Sequence, residues 1–449
     1  MSDTSNIIAA IDIGTTKIVA VVGKKREDGK LHVVGIEKVP STGVKRGVVL
    51  NIEETTNAIK DLVFNVESKY GVKLYEVYVG IAGQHIKSLQ NRGYRYIETS
   101  HEITQYDVDQ LYKDNFKIPL EAGENILHVF SQDYVVDNEA GVKNPIGMSG
   151  RRLEGNYHIV LGRIASVNNI EKCINRVGLK LNHLILEPMA SARSVLTAEE
   201  KEAGVVLVDI GGGTTDVAIF YDGVIQHTAV IPFGGNVVTS DVKEGCAVLH
   251  KQAESLKTQF GSALGDLERE DMVVTIPGIE GWEPKEISFK SLAYIIQARM
   301  EEIVDYVMYQ IERSKLYDKL GAGIVITGGG SLLKNLPQLV KFRTGLEVRL
   351  GIPNKYFAQG NVEDANKPMY STSIGLLLSA MDNPVKKVVE QKLFSDEFND
   401  EDVQPRKAST QAPRKEKKRK ERPEYATGDL FGSFKKTIAG IFDEKDVEM

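Results

Sequence analysis

Val208-Asp209-Ile210-Gly211-Gly212-Gly213-Thr214-Thr215-Asp216, followed by the apolar run Val217-Ala218-Ile219-Phe220, is the stretch that decides the fold. An earlier stretch, Ile11-Asp12-Ile13-Gly14-Thr15-Thr16-Lys17, repeats its form and runs into Ile18-Val19-Ala20-Val21-Val22-Gly23. Each reads as strand, glycine turn, strand, because β-branched and apolar residues flank a Gly/Thr corner. One such hairpin in each half predicts a duplicated α/β architecture with two similar lobes facing each other.

The corners also carry chemistry. A loop of Gly and Thr presents several backbone N–H groups on a concave surface, with hydroxyl donors beside them, which suits a phosphate. Glycine is expected there because a Cβ would block close approach and because such turns often need positive φ. Asp12 and Asp209, each ending a strand just before its turn, point toward the phosphates, where Mg²⁺ keeps several waters and takes one or two carboxylates. Lys17 would neutralise phosphate charge; Thr15, Thr16, Thr214 and Thr215 would donate hydroxyl bonds. One corner alone reads equally well as an ordinary tight turn. Two of them, with a third cluster at Thr327-Gly328-Gly329-Gly330-Ser331, read as a site for a metal-bound nucleotide. No Gly-x-x-x-x-Gly-Lys-Ser/Thr run exists, and Gly321-Ala322-Gly323 lacks the third glycine of a dinucleotide motif.

Between the two hairpins, residues 84–161 alternate polar and apolar stretches and read as an inserted α+β subdomain. A helical stretch follows around Val242 to Phe260, then a loop with the only tryptophan, Trp282, then a long helix near Ser291 to Lys315. In that helix Ile295, Ile296, Met300, Ile303, Val304, Val307, Met308 and Ile311 follow three- and four-residue spacing, a core face. A helix near Ser373 to Ala380 closes the folded region close to Pro384.

Beyond Pro384 the composition shifts to charge blocks such as Pro413-Arg414-Lys415-Glu416-Lys417-Lys418-Arg419-Lys420-Glu421-Arg422, which predict a disordered linker over 384–428. Treated as a flexible coil, it reaches on the order of 35 Å. Residues 429–443 recover apolar character, and on a helical wheel Leu430, Phe431, Phe434, Ile438, Ile441 and Phe442 share one face, with Asp429 as N-cap. Such a helix is too short to span a bilayer and suited to lying in its interface. The basic block before it adds ~1 kcal/mol per Lys or Arg near an anionic leaflet. The competing reading is a helix that docks on the protein's own body. The acidic end, Asp443-Glu444-Lys445-Asp446, works against attraction to anionic lipid.

Composition excludes several classes. The 449 residues are 42% apolar, enough for two or more cores, and 56 Lys+Arg against 62 Asp+Glu give a net charge of −6, which argues against bulk nucleic-acid binding. Cys173 and Cys246 are the only cysteines, so no disulfide framework or four-cysteine zinc site can form. The N-terminus lacks the basic region of a signal peptide and no apolar run approaches a spanning helix, so a cytoplasmic protein is expected.

With these motifs in place the chain resembles the actin-like ATPase superfamily, in which the two hairpins are phosphate motifs and the Thr327 to Ser331 element is the adenosine motif. Ile185-Leu186-Glu187-Pro188-Met189-Ala190-Ser191-Ala192 and Ser373-Ile374-Gly375 look like the two connecting helices, where small residues allow a close crossing. The resemblance narrows at Leu127-His128-Val129, at Asn144-Pro145-Ile146-Gly147-Met148-Ser149-Gly150-Arg151-Arg152-Leu153-Glu154 and at Ile231-Pro232-Phe233-Gly234-Gly235-Asn236 to the FtsA family of bacterial cell division. It implies an actin-like, ribonuclease H-like duplicated α/β fold with an inserted subdomain and a disordered tail. The implied division is 1–83 with 162–202 as the first lobe (1A), 84–161 as an SHS2-like subdomain (1C), 203–235 with 321–383 as the second lobe (2A), and 236–320 as a lobe-tip subdomain (2B).

The resemblance further implies ATP and Mg²⁺ in the cleft, with at most a slow ATPase. Gly14, Gly211, Gly212, Gly213, Gly234, Gly235, Gly328, Gly329 and Gly330 would lie against the nucleotide, and Glu254 and Lys257 near its ribose and base. That last pair also reads as a solvated i,i+3 ion pair. Glu187 occupies the position that orients an attacking water, or merely starts a helix beside Pro188. The implied partners are the FtsZ C-terminal peptide, with Arg299 as a basic contact or a solvent-facing arginine, an anionic membrane, other copies in a filament, and further division proteins on the inserted subdomain. The implied place is the cytoplasmic face of the cell membrane at the septum. A sugar kinase or chaperone ATPase shares the fold, but the first needs an aligned acceptor base and the second a peptide-binding domain where this chain has a charged linker.

Overall fold

The structure, a computed structural model, describes residues 7–26, 29–98, 102–278, 283–353 and 363–382. Trp282, the linker and the terminal amphipathic segment lie outside the described residues.

The first lobe opens with β1 (Ile8–Ile13), β2 (Lys17–Lys25) and β3 (Leu31–Pro40), an antiparallel meander. The small hairpin β4 (Val44–Lys45) and β5 (Val48–Val49) leads into α1 (Ile52–Tyr70). Asn51 caps this helix by accepting from the Glu53 and Glu54 amides, and Gly71 ends it in the left-handed region at φ 63°. Ala58, Ile59, Leu62, Val63 and Val66 turn inward at helical spacing. Then β6 (Glu76–Ile81) joins β1 in parallel.

The chain next builds the inserted subdomain: β7 (Lys87–Tyr96), α2 (Gln105–Asp114), β8 (Glu124–Val136), β9 (Glu139–Val142) and β10 (Arg152–Arg163). Its sheet runs β7-β10-β8-β9 over its own core, with Leu111, Leu153, Tyr157 and Ile159 at the centre. The first lobe resumes with α3 (Ile164–Arg176) and β11 (Lys180–Leu186), giving the order β11-β6-β1-β2-β3.

After α4 (Glu187–Val195) and α5 (Ala198–Ala203) the second lobe repeats the plan. β12 (Val205–Ile210), β13 (Thr215–Tyr221) and β14 (Val224–Ile231) form an antiparallel meander. The expected single helix around 242–260 is two, α6 (Gly235–Cys246) and α7 (His250–Phe260), because Ala247 takes a left-handed φ of 48°. β15 (Val273–Ile276) and β16 (Lys285–Ser288) precede α8 (Phe289–Ser314), which buries the expected stripe. β17 (Ile324–Thr327), α9 (Leu336–Thr344), β18 (Val348–Leu350) and α10 (Ser371–Asp382) complete the chain, and the sheet reads β14-β13-β12-β17-β18. Each lobe is thus a meander with two parallel strands added beside its first strand, the architecture that the paired hairpins predicted.

Two boundaries differ from the sequence reading. α10 was grouped with the second lobe, yet Ile374, Leu377, Leu378 and Met381 pack on Ala10, Val19 and Val21 of the first sheet. Its near-continuous apolar run finds its complement there. The tip, read as a separate 236–320 unit, shares one continuous core with the second sheet, from Val206 and Ile219 through Val242 and Leu256 to Met300 and Ile311.

α4 and α10 cross at their small residues. A Cβ on Gly375 would stand 1.8 Å from the Ala190 carbonyl oxygen. In a free helix Gly→Ala adds roughly 0.5–1 kcal/mol of stability; here the sign reverses. Gly375→Ala is expected to destabilise the chain by about 1–3 kcal/mol, the usual range for overpacking, read as a lower denaturation midpoint. A midpoint at or above that of the unaltered chain would show that the helices do not meet there.

Candidate functional site

The hairpin corners end at the same place. β1 delivers Asp12 and turns through Gly14-Thr15-Thr16 into β2; β12 delivers Asp209 and turns through Gly211 to Thr214 into β13, the Gly211 amide donating to the Thr214 carbonyl at 2.9 Å. The two corners touch. A Cβ on Gly212 would lie 1.9 Å from Thr16 Oγ1, and one on Gly213 2.5 Å from Thr15 Oγ1. Thr16 also donates to Asn236 Oδ1 at 3.3 Å. Among the described residues these corner glycines have no positive φ, so the expected conformational reason does not apply to them; they are glycines because the opposite corner needs the space. Gly328 is the one that needs a left-handed φ, at 83°, and its Cβ would also stand 2.3 Å from Asp209 Oδ1.

A cavity of about 540 Å³ opens at this junction, within the range of small-molecule sites. Asp12, Gly14, Thr15, Thr16, Lys17, Glu187, Asp209, Gly211, Gly212, Gly213, Thr214, Gly235, Glu254, Lys257, Gly328, Gly329 and Gly330 all line it. Its lining also includes the apolar Phe260, Phe289, Leu332 and Leu333. Two residues of the expected set stand apart. Thr215 is fully buried and donates to the Phe233 carbonyl at 2.9 Å, so its hydroxyl serves the hairpin. Gly234 packs beneath the corner, where a Cβ would lie 2.6 Å from the Gly211 carbonyl oxygen.

Hydroxyls from the crossing helices hold the carboxylates. Ser373 of α10 donates to Asp12 at 3.0 Å; Ser191 of α4 and Thr372 of α10 donate to Asp209 at 2.5 and 3.1 Å. A third carboxylate, Asp216, is the cross-strand partner of Asp209 in the β12–β13 ladder and is only 4% exposed. One of its oxygens accepts from Thr214 at 3.3 Å; the other has no partner. Burial and the facing Asp209 push its carboxyl up to about 8. Burial raises Asp12 to about 6 against the pull of Lys17, and raises Asp209 in the same direction. Glu187, half-buried at the start of α4, is driven well above the usual carboxylate range by burial and then by Asp12, Asp216 and Asp209. Lys17 is the ammonium among them. It sits 5.6 Å over the Tyr370 ring, and burial lowers its pKa although Asp12 and Asp209 pull it up.

Glu254 and Lys257 pair at 2.7 Å and line the cavity, and with the lysine side chain only 14% exposed the pair is not a solvated one. The Lys257 ammonium also donates to the Gly235 carbonyl and to Thr239 Oγ1, at 3.0 and 2.8 Å, which ties α7 to the start of α6. Arg299 is neither free nor solvent-facing. It grips Asp241 of α6 with two bonds, at 2.6 and 3.0 Å, and also bonds Glu302.

The family model for the cell division protein FtsA matches residues 206–375, and the model for the SHS2 domain inserted in FtsA matches 83–161. The cell division protein FtsA of Pseudomonas aeruginosa is 41% identical over 84% of this chain and 89% of its own length. The chain belongs to the FtsA family. FtsA of Neisseria meningitidis serogroup B is 39% identical over 85% of this chain and 91% of its own, and FtsA of Escherichia coli K12 is 34% identical over 83% and 89%. A solved structure of the PilM–PilN type IV pilus biogenesis complex shares the fold, with a TM-score of 0.61 at 13% identity, covering 84% of this chain and 99% of that one. The actin-like fold, the inserted subdomain and a role in cell division are those of the FtsA family, and the kinase and chaperone readings are set aside.

Sequence reading missed Asp216, Ser191, Thr372 and Asn236 as members of the site. Asp216 stood in the quoted motif; its signal was the strand period, which puts it opposite Asp209. Its raised pKa has a consequence for this FtsA-family chain. Between pH 3.8 and about 8 the folded carboxyl keeps a proton that the unfolded chain has released, so stability falls as pH rises through that window. Asp216→Asn should lessen that fall in the ligand-free protein, with the largest gain in melting temperature near pH 8. An unchanged pH slope would mean that Asp216 is ionised and solvated.

Proposed function

We propose that the cleft binds ATP with Mg²⁺ and that the protein couples this nucleotide to assembly of the division machinery on the membrane. The observation that carries the reading is the meeting of two Gly/Thr corners, each led by a carboxylate, over one cavity whose lining includes large apolar side chains. Thr15, Thr16 and Thr214 line the cavity with the corner glycines, whose backbone amides suit phosphate; Lys17 supplies positive charge, and Phe260, Phe289 and Leu333 offer apolar walls for a base.

The residues fit a magnesium ion held largely through water. Among the described residues no three His, Cys, Asp or Glu side chains stand close enough to hold a metal directly. Asp12 and Asp209 each keep one carboxylate oxygen bonded to a hydroxyl of the crossing helices, which fixes their direction toward the cavity. Bound there, Mg²⁺ would offset phosphate charge. In this reading Glu187, which lines the cavity, accepts a bond from the attacking water, while Ser191 and Thr372 position Asp209.

Calorimetry with ATP and Mg²⁺ is expected to register binding, and Lys17→Ala to weaken it about tenfold or more, the loss of one charge-assisted contact. Glu187→Ala should lower phosphate release while ATP still binds. No heat from the unaltered chain would refute the nucleotide reading, and an unchanged release rate would remove Glu187 from the mechanism.

The membrane and FtsZ roles rest on sequence and family. The 429–443 segment, with a basic block before it, fits a reversible interfacial anchor, and an FtsZ peptide docking at the tip must displace Asp241 from Arg299 or bind beside that pair. Phe434→Glu is expected to abolish sedimentation with anionic vesicles; undiminished sedimentation would refute the anchor.

A further inference from the structure

We infer that the inserted subdomain reads the state of the cleft, because its root is fastened to the first corner and its flank to β14, beside the strand that starts at the second; the inference rests on the nucleotide reading above. Its root is fastened to the first corner. The Gly47 amide, in the tight turn between β4 and β5, donates to Thr15 Oγ1 at 3.0 Å, and Gly47 itself lines the cavity. With its oxygen accepting from Gly47, the Thr15 hydroxyl keeps its proton for a ligand, and an anionic oxygen taking that proton strengthens the bond behind it.

Gly47 lies directly on Gly83, where the chain leaves the first lobe for the subdomain. A Cβ on Gly47 would stand 2.7 Å from Gly83 Cα, and one on Gly83 would stand 2.9 Å from the Gly47 carbonyl oxygen. Both glycines have positive φ, 73° and 117°, as does Arg46 between β4 and β5 at 50°. The Gln84 amide reaches the Arg46 carbonyl at 3.4 Å. A backbone-on-backbone contact of this kind has no side-chain slack, so a shift of the turn moves the root of the subdomain.

The flank of the subdomain is fastened to the second lobe. Ser88 Oγ donates to the Thr228 carbonyl at 2.9 Å, Gln90 Nε2 to the Gln226 carbonyl at 2.8 Å and Gln132 Nε2 to the Ile225 carbonyl at 3.0 Å. His158 Nε2 meets Thr228 Oγ1 at 2.9 Å. These acceptors belong to β14, whose neighbour β13 starts at the second corner, with Thr215 opposite Ile231 and Ala218 opposite Thr228. Phe130 of the subdomain packs against the cores of both lobes. Apart from the buried His158–Thr228 pair, the flank bonds are part-buried or exposed ones from side-chain donors to carbonyls, each of small net worth, so the flank is a joint that can release while the root stays attached. In this structure the corners touch and the flank is joined; on this inference the docked flank accompanies the arrangement of the corners that holds the nucleotide. By linkage, loosening the flank must weaken whatever ligand favours the closed cleft.

The test uses the full chain with Mg-ATP. Hydrogen exchange is expected to slow not only at the two corners but also over residues 83–90 and 224–230. Gln90→Ala combined with Gln132→Ala, neither of which touches the cavity, should raise the ATP dissociation constant about threefold or more with the melting transition still cooperative. Exchange that slows at the corners alone, or a double variant that binds ATP as the unaltered chain does, overturns the inference. Absence of any ATP uptake by the unaltered chain overturns the nucleotide reading and this inference with it, and calorimetry on that chain separates the two failures.

Discussion

The crossing of α4 and α10 is the constraint on which the rest of the molecule depends. Gly375 lets one helix lie against the Ala190 carbonyl of the other, and at that depth Ser191, Thr372 and Ser373 reach the carboxylates that end β1 and β12. The same crossing exchanges the helices between lobes: α10 packs on the first sheet, while Ala192 and Val195 of α4 pack with Leu207 and Phe220 of the second. Each lobe is therefore held by a helix that leads out of the other, and the two carboxylate-led corners cannot move apart without turning about this point.

The duplicated corners are alike in backbone and unlike in charge. The hairpins have the same length and register, so Lys17 in the first occupies the place of Thr214 in the second, and Val19 that of Asp216. One corner brings an ammonium, the other an extra buried carboxylate. Asp12, Asp209, Asp216 and Glu187 line the cavity with Lys17; burial raises every one of them, and neighbouring carboxylates add to the rise at Asp12, Asp216 and Glu187. A ligand-free cleft so arranged favours protonation of its carboxylates.

Much of this was legible in the residues because backbone chemistry leaves sequence marks. The two Gly/Thr corners, the apolar strands and the stripe of α8 have periods that local sterics enforce, and all three were found where they were read. What escaped reading was set by tertiary contact. Gly212 and Gly213 were explained by ligand approach and φ, whereas Thr15 and Thr16 of the opposite lobe occupy the space. α10 was assigned to the lobe that precedes it in the chain, since no local pattern tells an apolar helix which sheet it will cover. Thr214 and Thr215 are adjacent and alike in sequence, yet Thr214 lines the cavity and bonds Asp216 while the Thr215 hydroxyl serves the hairpin. Ser191 and Thr372 are single hydroxyls in helical sequence, and only the crossing gives them a carboxylate.

The most direct measurement is a structure of the full chain with a non-hydrolysable ATP analogue and Mg²⁺. The account predicts the phosphates between Thr15 and Thr16 on one side and Gly212 to Thr214 on the other, with the base toward Phe260 and Leu333. Phosphates bound by one corner only, or a nucleotide seated elsewhere, would contradict it.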